Sequence, residues 1–97
     1  MNYELQFEKR ALKEWKKLPQ PIKEQFKKKL NERLQNPHII SAKLSGSINR
    51  YKIKLRSSGY RLVYEVDDEK ITVYVIAVGK RERSEVYILA KDRNIFN

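Results

Sequence analysis

The chain has 97 residues, 40% of them hydrophobic and 35% charged, with a formal net charge of +10, a pI of about 9.9 and no cysteine. That length supports one domain spanning residues 1–97 with a modest core. The absence of cysteine excludes a disulfide framework and a thiolate metal site, and the basic excess points to nucleic acid, an anionic surface or an acidic protein partner. No run approaches transmembrane length, and Glu4 and Gln6 interrupt the apolar positions a signal peptide needs, so a cytoplasmic protein without membrane contact is expected.

Tyr3, Leu5 and Phe7 alternate with polar residues and predict a first strand over residues 2–7. Residues 8–17 change to helical spacing, with Ala11, Leu12, Trp15 and Leu18 on one face. Leu18-Pro19-Gln20-Pro21 ends that helix, and Pro21 suits the first turn of the next. In the second helix Ile22, Phe26, Leu30 and Leu34 recur every fourth residue to about Gln35, where Asn36-Pro37 stops it. The short connection pairs the two as a helical hairpin. Residues 38–49 are the least regular; Gly46 between serines marks a loop and Leu44 an apolar anchor.

From Arg50 to Val66 the period is two. Tyr51, Ile53 and Leu55 alternate with Lys52, Lys54 and Arg56; Tyr60, Leu62, Tyr64 and Val66 alternate with Arg61, Val63 and Glu65. Ser57-Ser58-Gly59 supplies turn chemistry. A two-residue loop at Ser57-Ser58 sets Leu55 opposite Tyr60, Ile53 opposite Leu62 and Tyr51 opposite Tyr64, giving one apolar face. A three-residue loop would scramble both faces. The same register puts Lys54 opposite Arg61, with Lys52 and Arg56 beside them. Like charges directly opposed destabilise a sheet, so this one-signed face favours an anion-binding site over a merely solvated surface.

Asp67-Asp68 predicts the next turn, with Glu65 facing Lys70. Ile71, Val73, Val75 and Ala77 continue the apolar face; Thr72, Tyr74, Ile76 and Val78 take the other, and Gly79 ends the strand. After the charged connection Lys80-Arg81-Glu82-Arg83, Ser84 is a plausible N-cap for a last helix carrying Val86, Leu89 and Ala90. Ile95 and Phe96 offer apolar anchors in the tail. The expected fold is α+β: strand, two-helix hairpin, three-strand antiparallel meander and a short C-terminal helix that partly covers the second sheet face.

His38 is the only histidine, which excludes a two-histidine ribonuclease, and it reads as a loop residue after Asn-Pro. No acidic cluster has the spacing of a Mg²⁺ site, so no metal or cofactor is expected. The chain carries neither a glycine-rich phosphate loop nor a nucleophile elbow. The run Lys27-Lys28-Lys29 reads as a solvated helix face suited to long-range attraction of nucleic acid. Metal-free RNA cleavage requires deprotonating a 2′-hydroxyl, holding the nucleotide in line, neutralising the phosphorane and protonating the leaving 5′-oxygen. Neighbouring cations disfavour the charged form of a lysine, which would suit Lys54 or Lys52 to carrying a proton. Arg61 and Arg81 suit clamping phosphate oxygens, and Tyr87 suits base, positioning or stacking roles.

K-I-K-L-R-S-S-G-Y-R-L-V-Y followed by V-G-K-R-E-R-S-E-V-Y closely resembles the RelE toxins of bacterial toxin–antitoxin modules. The resemblance extends back through A-L-K-E-W-K-K-L and K-E-Q-F-K-K-K-L, covering nearly all of the chain up to Tyr87. It implies a small microbial-RNase-like fold and an endoribonuclease that cuts messenger RNA in the ribosomal A site by 2′-hydroxyl attack. The family's catalytic positions fall on Lys52, Lys54, Arg61, Arg81 and Tyr87, with Arg56, Lys80 and Arg83 as further RNA contacts. It also implies a RelB-type antitoxin as partner, the 70S ribosome with 16S rRNA contacts, and operator DNA reached only through the antitoxin complex. Two other readings compete. A non-catalytic basic ribosome- or DNA-binding module would need the cations but not Tyr87 beside them. A related toxin that poisons gyrase would not need paired Lys52 and Lys54 with Arg81 and Tyr87.

Overall fold

The computed structural model describes residues 2–80, 85–91 and 93. Strand β1 (Glu4–Phe7) leads into helix α1 (Lys9–Lys16) through Glu8, whose side chain accepts the backbone N–H groups of Arg10 and Ala11. Burial works against the Glu8 carboxylate, but these N–H groups and the Arg10 guanidinium outweigh it and hold the carboxyl below its ordinary value. Helix α2 (Gln20–Gln35) starts with Pro21 in its first turn, where a missing N–H costs nothing. Its Ile22, Phe26 and Leu30 are buried; Leu34 is half-buried. On α1, Ala11 is buried, but Leu12 is exposed rather than part of the expected apolar face, leaving Trp15 and Leu18 to reach the core.

Strands β2 (Arg50–Lys54), β3 (Tyr60–Asp67) and β4 (Thr72–Lys80) form the antiparallel meander. The sheet order is β1-β4-β3-β2, with β1 parallel to β4, a placement that residue periodicity left open. Helices α1 and α2 cover one face, packing on Tyr51, Ile53, Leu55, Leu62, Tyr64, Val66, Val73 and Val75. Helix α3 (Glu85–Lys91) lies on the other, against Val63, Ile76 and Ala77 through Val86 and Ala90. Ser84, Ile95 and Phe96, expected to cap or anchor this end, lie outside the described residues.

The register of β2 on β3 is the expected one: Tyr51 faces Tyr64, Ile53 faces Leu62 and Lys54 faces Arg61. The loop is wider than two residues. Leu55 N–H donates to the Tyr60 carbonyl and Gly59 N–H to the Leu55 carbonyl, leaving Arg56–Gly59 as the turn. A tight Ser57-Ser58 loop would force serines to positive φ, whereas the wider one places that burden on Gly59, at φ +80.

Three further expectations are corrected. Glu65 faces Tyr74, not Lys70, because Asp67 Oδ1 accepts the Glu69 and Lys70 N–H groups and extends the turn to Ile71, itself at φ 48. Glu65 instead pairs with Arg50, Nε to Oε1 at 2.8 Å. Alternation along β4 also fails beyond Val75. The register shifts between Val63 and Tyr64, so that Val63 faces Ala77 and Tyr64 faces Val75, with Ile76 as the extra residue of a bulge. Ala77 therefore joins Ile76 on the α3 face, and Val78 returns to the α1/α2 core. The strand runs on through Gly79 to Lys80.

Pro37 and His38 tie the irregular segment to the sheet. Tyr64 stacks on Tyr51 (5.5 Å between centroids), donates its hydroxyl to the Pro37 carbonyl and accepts from Arg33 Nη1. Burial pushes the Tyr64 phenol up, against the pull of Arg33. His38 is more than a loop residue: Nδ1 hydrogen-bonds Tyr51 Oη at 2.8 Å and Nε2 meets Asp68 Oδ1 at 2.9 Å. That contact and the Tyr3 hydroxyl hold the Asp68 carboxyl below its ordinary value.

The turn gives a direct test. A Cβ at Gly59 would meet no atom within 4 Å, so Gly59→Ala carries backbone strain without a clash. Chemical denaturation should show a loss of about 1–2 kcal/mol. No measurable loss would mean that the turn does not hold the hairpin register.

Candidate functional site

Because Tyr51 and Ile53 are turned into the core, Lys52 and Lys54 are turned away from it. Arg61 lies opposite Lys54 on the same face, and Lys52 lies opposite Val63, which belongs to the α3 cluster. Residues two apart on a strand are separated by roughly 7 Å, so Lys52 and Lys54 form a row of cations along β2. Helix α3 brings Tyr87 to this row: Lys52 Nζ lies over its ring, 5.9 Å from the centroid. Tyr87 is half-buried, packed against the Val63, Ile76 and Ala77 cluster. Lys80 ends β4 opposite Tyr60, one residue beyond the Arg61–Gly79 pair. Lys52, Lys54, Arg61 and Tyr87 thus share one face, Lys80 sits at its end and Arg56 at the hairpin turn. Arg81 and Arg83 lie outside the described residues.

Two charged clusters fix α3. Arg50, already paired to Glu65, donates Nη1 to the Ala90 carbonyl and Nη2 to the Arg93 carbonyl, at the helix's C-terminal end. Cations suit that end because its last carbonyls lack intrahelical partners. Beyond the helix, Arg93 forms a bidentate pair with Glu14 of α1, both contacts at 2.8 Å. The same pair closes a backbone account. Beyond Val75, β4 extends past its pairing with β1; there Glu14 accepts the Val78 N–H and Arg93 donates to the Ile76 carbonyl. The Glu14 hydrogen bonds outweigh burial and hold the Arg93 guanidinium in its charged form.

Sequence reasoning did not single out Arg50, Glu14 or Arg93. The register it established does place Arg50 opposite Glu65, so one signal was present. Arg93 and Glu14 are 79 residues apart, and no local pattern links them. Among the described residues no group of three or more His, Cys, Asp or Glu side chains could hold a metal ion. No described helix is long and apolar enough to cross a membrane.

A row of cations on a rigid sheet, flanked by an aromatic ring, can hold phosphodiesters and stack a base. The family model for the ParE toxin of the type II toxin–antitoxin system, parDE, matches residues 5–85, and the chain belongs to this family of type II toxins. Within it, the chain is 62% identical over 93 residues to the mRNA interferase toxin RelE of Escherichia coli K12, covering 96% of this chain and 98% of the relative. The free-state structure of an arginine double mutant of E. coli RelE matches with a TM-score of 0.88 at 60% identity, covering 96% of this chain and 98% of that one. A chain of the intact E. coli RelBE toxin–antitoxin complex matches with a TM-score of 0.80 at 62% identity, over 84% and 99% of the two chains.

The α3 clamp leads to a stability prediction. Glu14→Ala leaves a buried guanidinium and the Val78 N–H without their acceptor, and denaturation should register a loss of about 2–4 kcal/mol. A loss under about 0.5 kcal/mol would show that the Glu14–Arg93 pair does not hold this end of the molecule.

Proposed function

We propose that the chain is an mRNA interferase, the toxin of a type II toxin–antitoxin pair, and that it cuts messenger RNA in the ribosomal A site. The observation that carries this reading is the placement of Lys52, Lys54 and Arg61 on one sheet face beside Tyr87. The 62% identity to a named mRNA interferase over nearly both full chains supports it.

In the proposed reaction the substrate's 2′-oxygen attacks the adjacent phosphorus as the bond to the 5′-oxygen breaks. The products are a 2′,3′-cyclic phosphate, which can open to a 3′-phosphate, and a free 5′-hydroxyl. The 2′-hydroxyl proton goes to a base on the enzyme and a proton reaches the departing 5′-oxygen. Lys54 and Lys52 are assigned to proton transfer and to neutralising the phosphorane. Arg61 and Arg81 are assigned to clamping its equatorial oxygens. Tyr87 positions the nucleotide by stacking, its ring already set beneath Lys52 Nζ. Arg56, Lys80 and Arg83 contact the flanking RNA. The ribosome supplies in-line alignment of the messenger, with 16S rRNA as an anionic docking partner.

The other partner is a RelB-type antitoxin. A +10 surface attracts an acidic segment, and an apolar cleft of about 280 Å³ between α3 and the loop at Leu44–Ser47 offers room for its hydrophobic anchors. Binding there disturbs α3 and with it Tyr87. Operator DNA is reached through the antitoxin in that complex, in the cytoplasm. The family model also carries the ParE name, so gyrase poisoning is the reading to set against this one.

Induced expression separates them. Without antitoxin, the wild-type chain should stop growth and produce new transcript ends inside reading frames, and co-expressed antitoxin should abolish both. Growth arrest with translated and untranslated RNAs equally intact would contradict ribosome-dependent cleavage. Chromosomal breaks in place of RNA ends would favour gyrase poisoning.

A further inference from the structure

The cation row does not stop at the proposed catalytic face. Around the free side of β2 lies a second concavity of about 400 Å³, lined by Lys29 and Arg33 of α2, Ser41 and Ala42 of the short 3₁₀ turn Ile40–Ala42, and Lys52, Lys54 and Arg56. Five of these seven residues are cationic and none is acidic. Nothing in the packing demands that: the apolar core lies on the other side of β2, and the residues converge from three separate elements.

Arg33 distinguishes this cleft from a solvated basic surface. It is half-buried and held without a carboxylate: Nη1 donates to the Lys52 carbonyl at 3.2 Å and to the Tyr64 hydroxyl at 2.9 Å, and its guanidinium carbon lies 5.7 Å from the Tyr64 ring centroid. The rest of its fork makes no hydrogen bond among the described residues. An arginine preorganised by its neighbours and facing a cleft without acids is a ready receptor for a phosphate oxygen pair. Ser41 adds a hydroxyl donor and Lys29 a mobile charge at the rim.

We propose that this cleft is a phosphodiester subsite for the same single-stranded RNA, holding a phosphate that flanks the scissile one. Lys52 and Lys54 line both places, so the two phosphates share a wall and the strand passes over β2 toward α2. The proposal deepens the nuclease reading and rests on it for the identity of the strand. Its test requires no cleavage.

The probe is a short single-stranded oligoribonucleotide, 2′-O-methylated throughout so that 2′-attack is impossible, titrated against the full chain at several salt concentrations. Lys29→Ala should weaken binding by about fivefold to tenfold and flatten the salt dependence by about one phosphate contact. Lys28→Ala removes the same charge one residue along α2, outside the cleft, and should weaken binding less than twofold. Arg33→Lys keeps the charge but loses the fork; it should also weaken binding, with a thermal melt run alongside because Arg33 supports Tyr64. Equal losses from Lys28→Ala and Lys29→Ala would overturn the proposal, since net charge alone would explain them. So would equal affinity and equal Lys29 dependence with a double-stranded probe, which would mark a contact to folded RNA. A chain that binds the probe as expected yet leaves cellular messengers intact would preserve the subsite and refute the nuclease reading.

Discussion

Alternate residues of β2 and β3 are buried against the helical hairpin, and this burial decides that Lys52, Lys54 and Arg61 share the opposite face. Tyr51, Ile53, Leu62 and Tyr64 are nearly or fully inaccessible, and each such side chain stabilises the fold by roughly 1.5–3 kcal/mol. The opposition of Lys54 and Arg61 costs at most about 1 kcal/mol. The apolar side wins, and a one-residue slip that relieved the repulsion would expose the whole core face. The sheet can therefore hold like charges together in a fixed array, where flexible lysines on a loop would separate.

The second face is assembled by different means. Among the described residues, a small buried cluster of Val63, Ile76, Ala77, Val86 and Ala90, with Leu44, Tyr74 and Tyr87 packed against it, holds α3 to the sheet. Charged side chains supply the rest, with Arg50 on the helix's terminal carbonyls and Arg93 locked to Glu14. The bulge at Ile76 joins the two devices, because it turns Ala77 toward α3 near the backbone groups that Glu14 and Arg93 satisfy. Tyr87 is on that helix, so the bonds that anchor α3 also help set its position against Lys52.

Much of this was legible in the residues. The period-two runs predicted all four strands of the sheet and the register of β2 on β3, and with it the pairing of Lys54 with Arg61. Proline placement gave the start and stop of α2. What was missed depended on contacts between distant residues or on local departures from regularity. The bulge breaks alternation at one residue of an uninterrupted apolar run, Val75-Ile76-Ala77-Val78, where every residue is hydrophobic and the pattern gives no warning. The Asp67 side chain captured two backbone N–H groups and lengthened a turn expected to be tight. Arg93 finds Glu14 only because α1 and the chain beyond α3 meet at β4, and Arg33 reads as one more charge on α2 until Tyr64 is seen beside it. The expected RNA contact Arg56 fell at the hairpin turn on the cleft's margin, through a loop two residues wider than expected.

We propose that folding imposes a cation array which the chemistry then uses, so stability and activity should separate at Lys54. The direct measurement pairs a thermal melt of the free Lys54→Gln chain with its single-turnover cleavage rate on programmed ribosomes at saturating toxin. Relief of the repulsion with Arg61 should leave the melting temperature unchanged or slightly raised, while the cleavage rate falls by about two orders of magnitude or more. An unfolded variant would show that Lys54 is structural, and a normal melt with wild-type cleavage would show that the array is not what cuts the RNA.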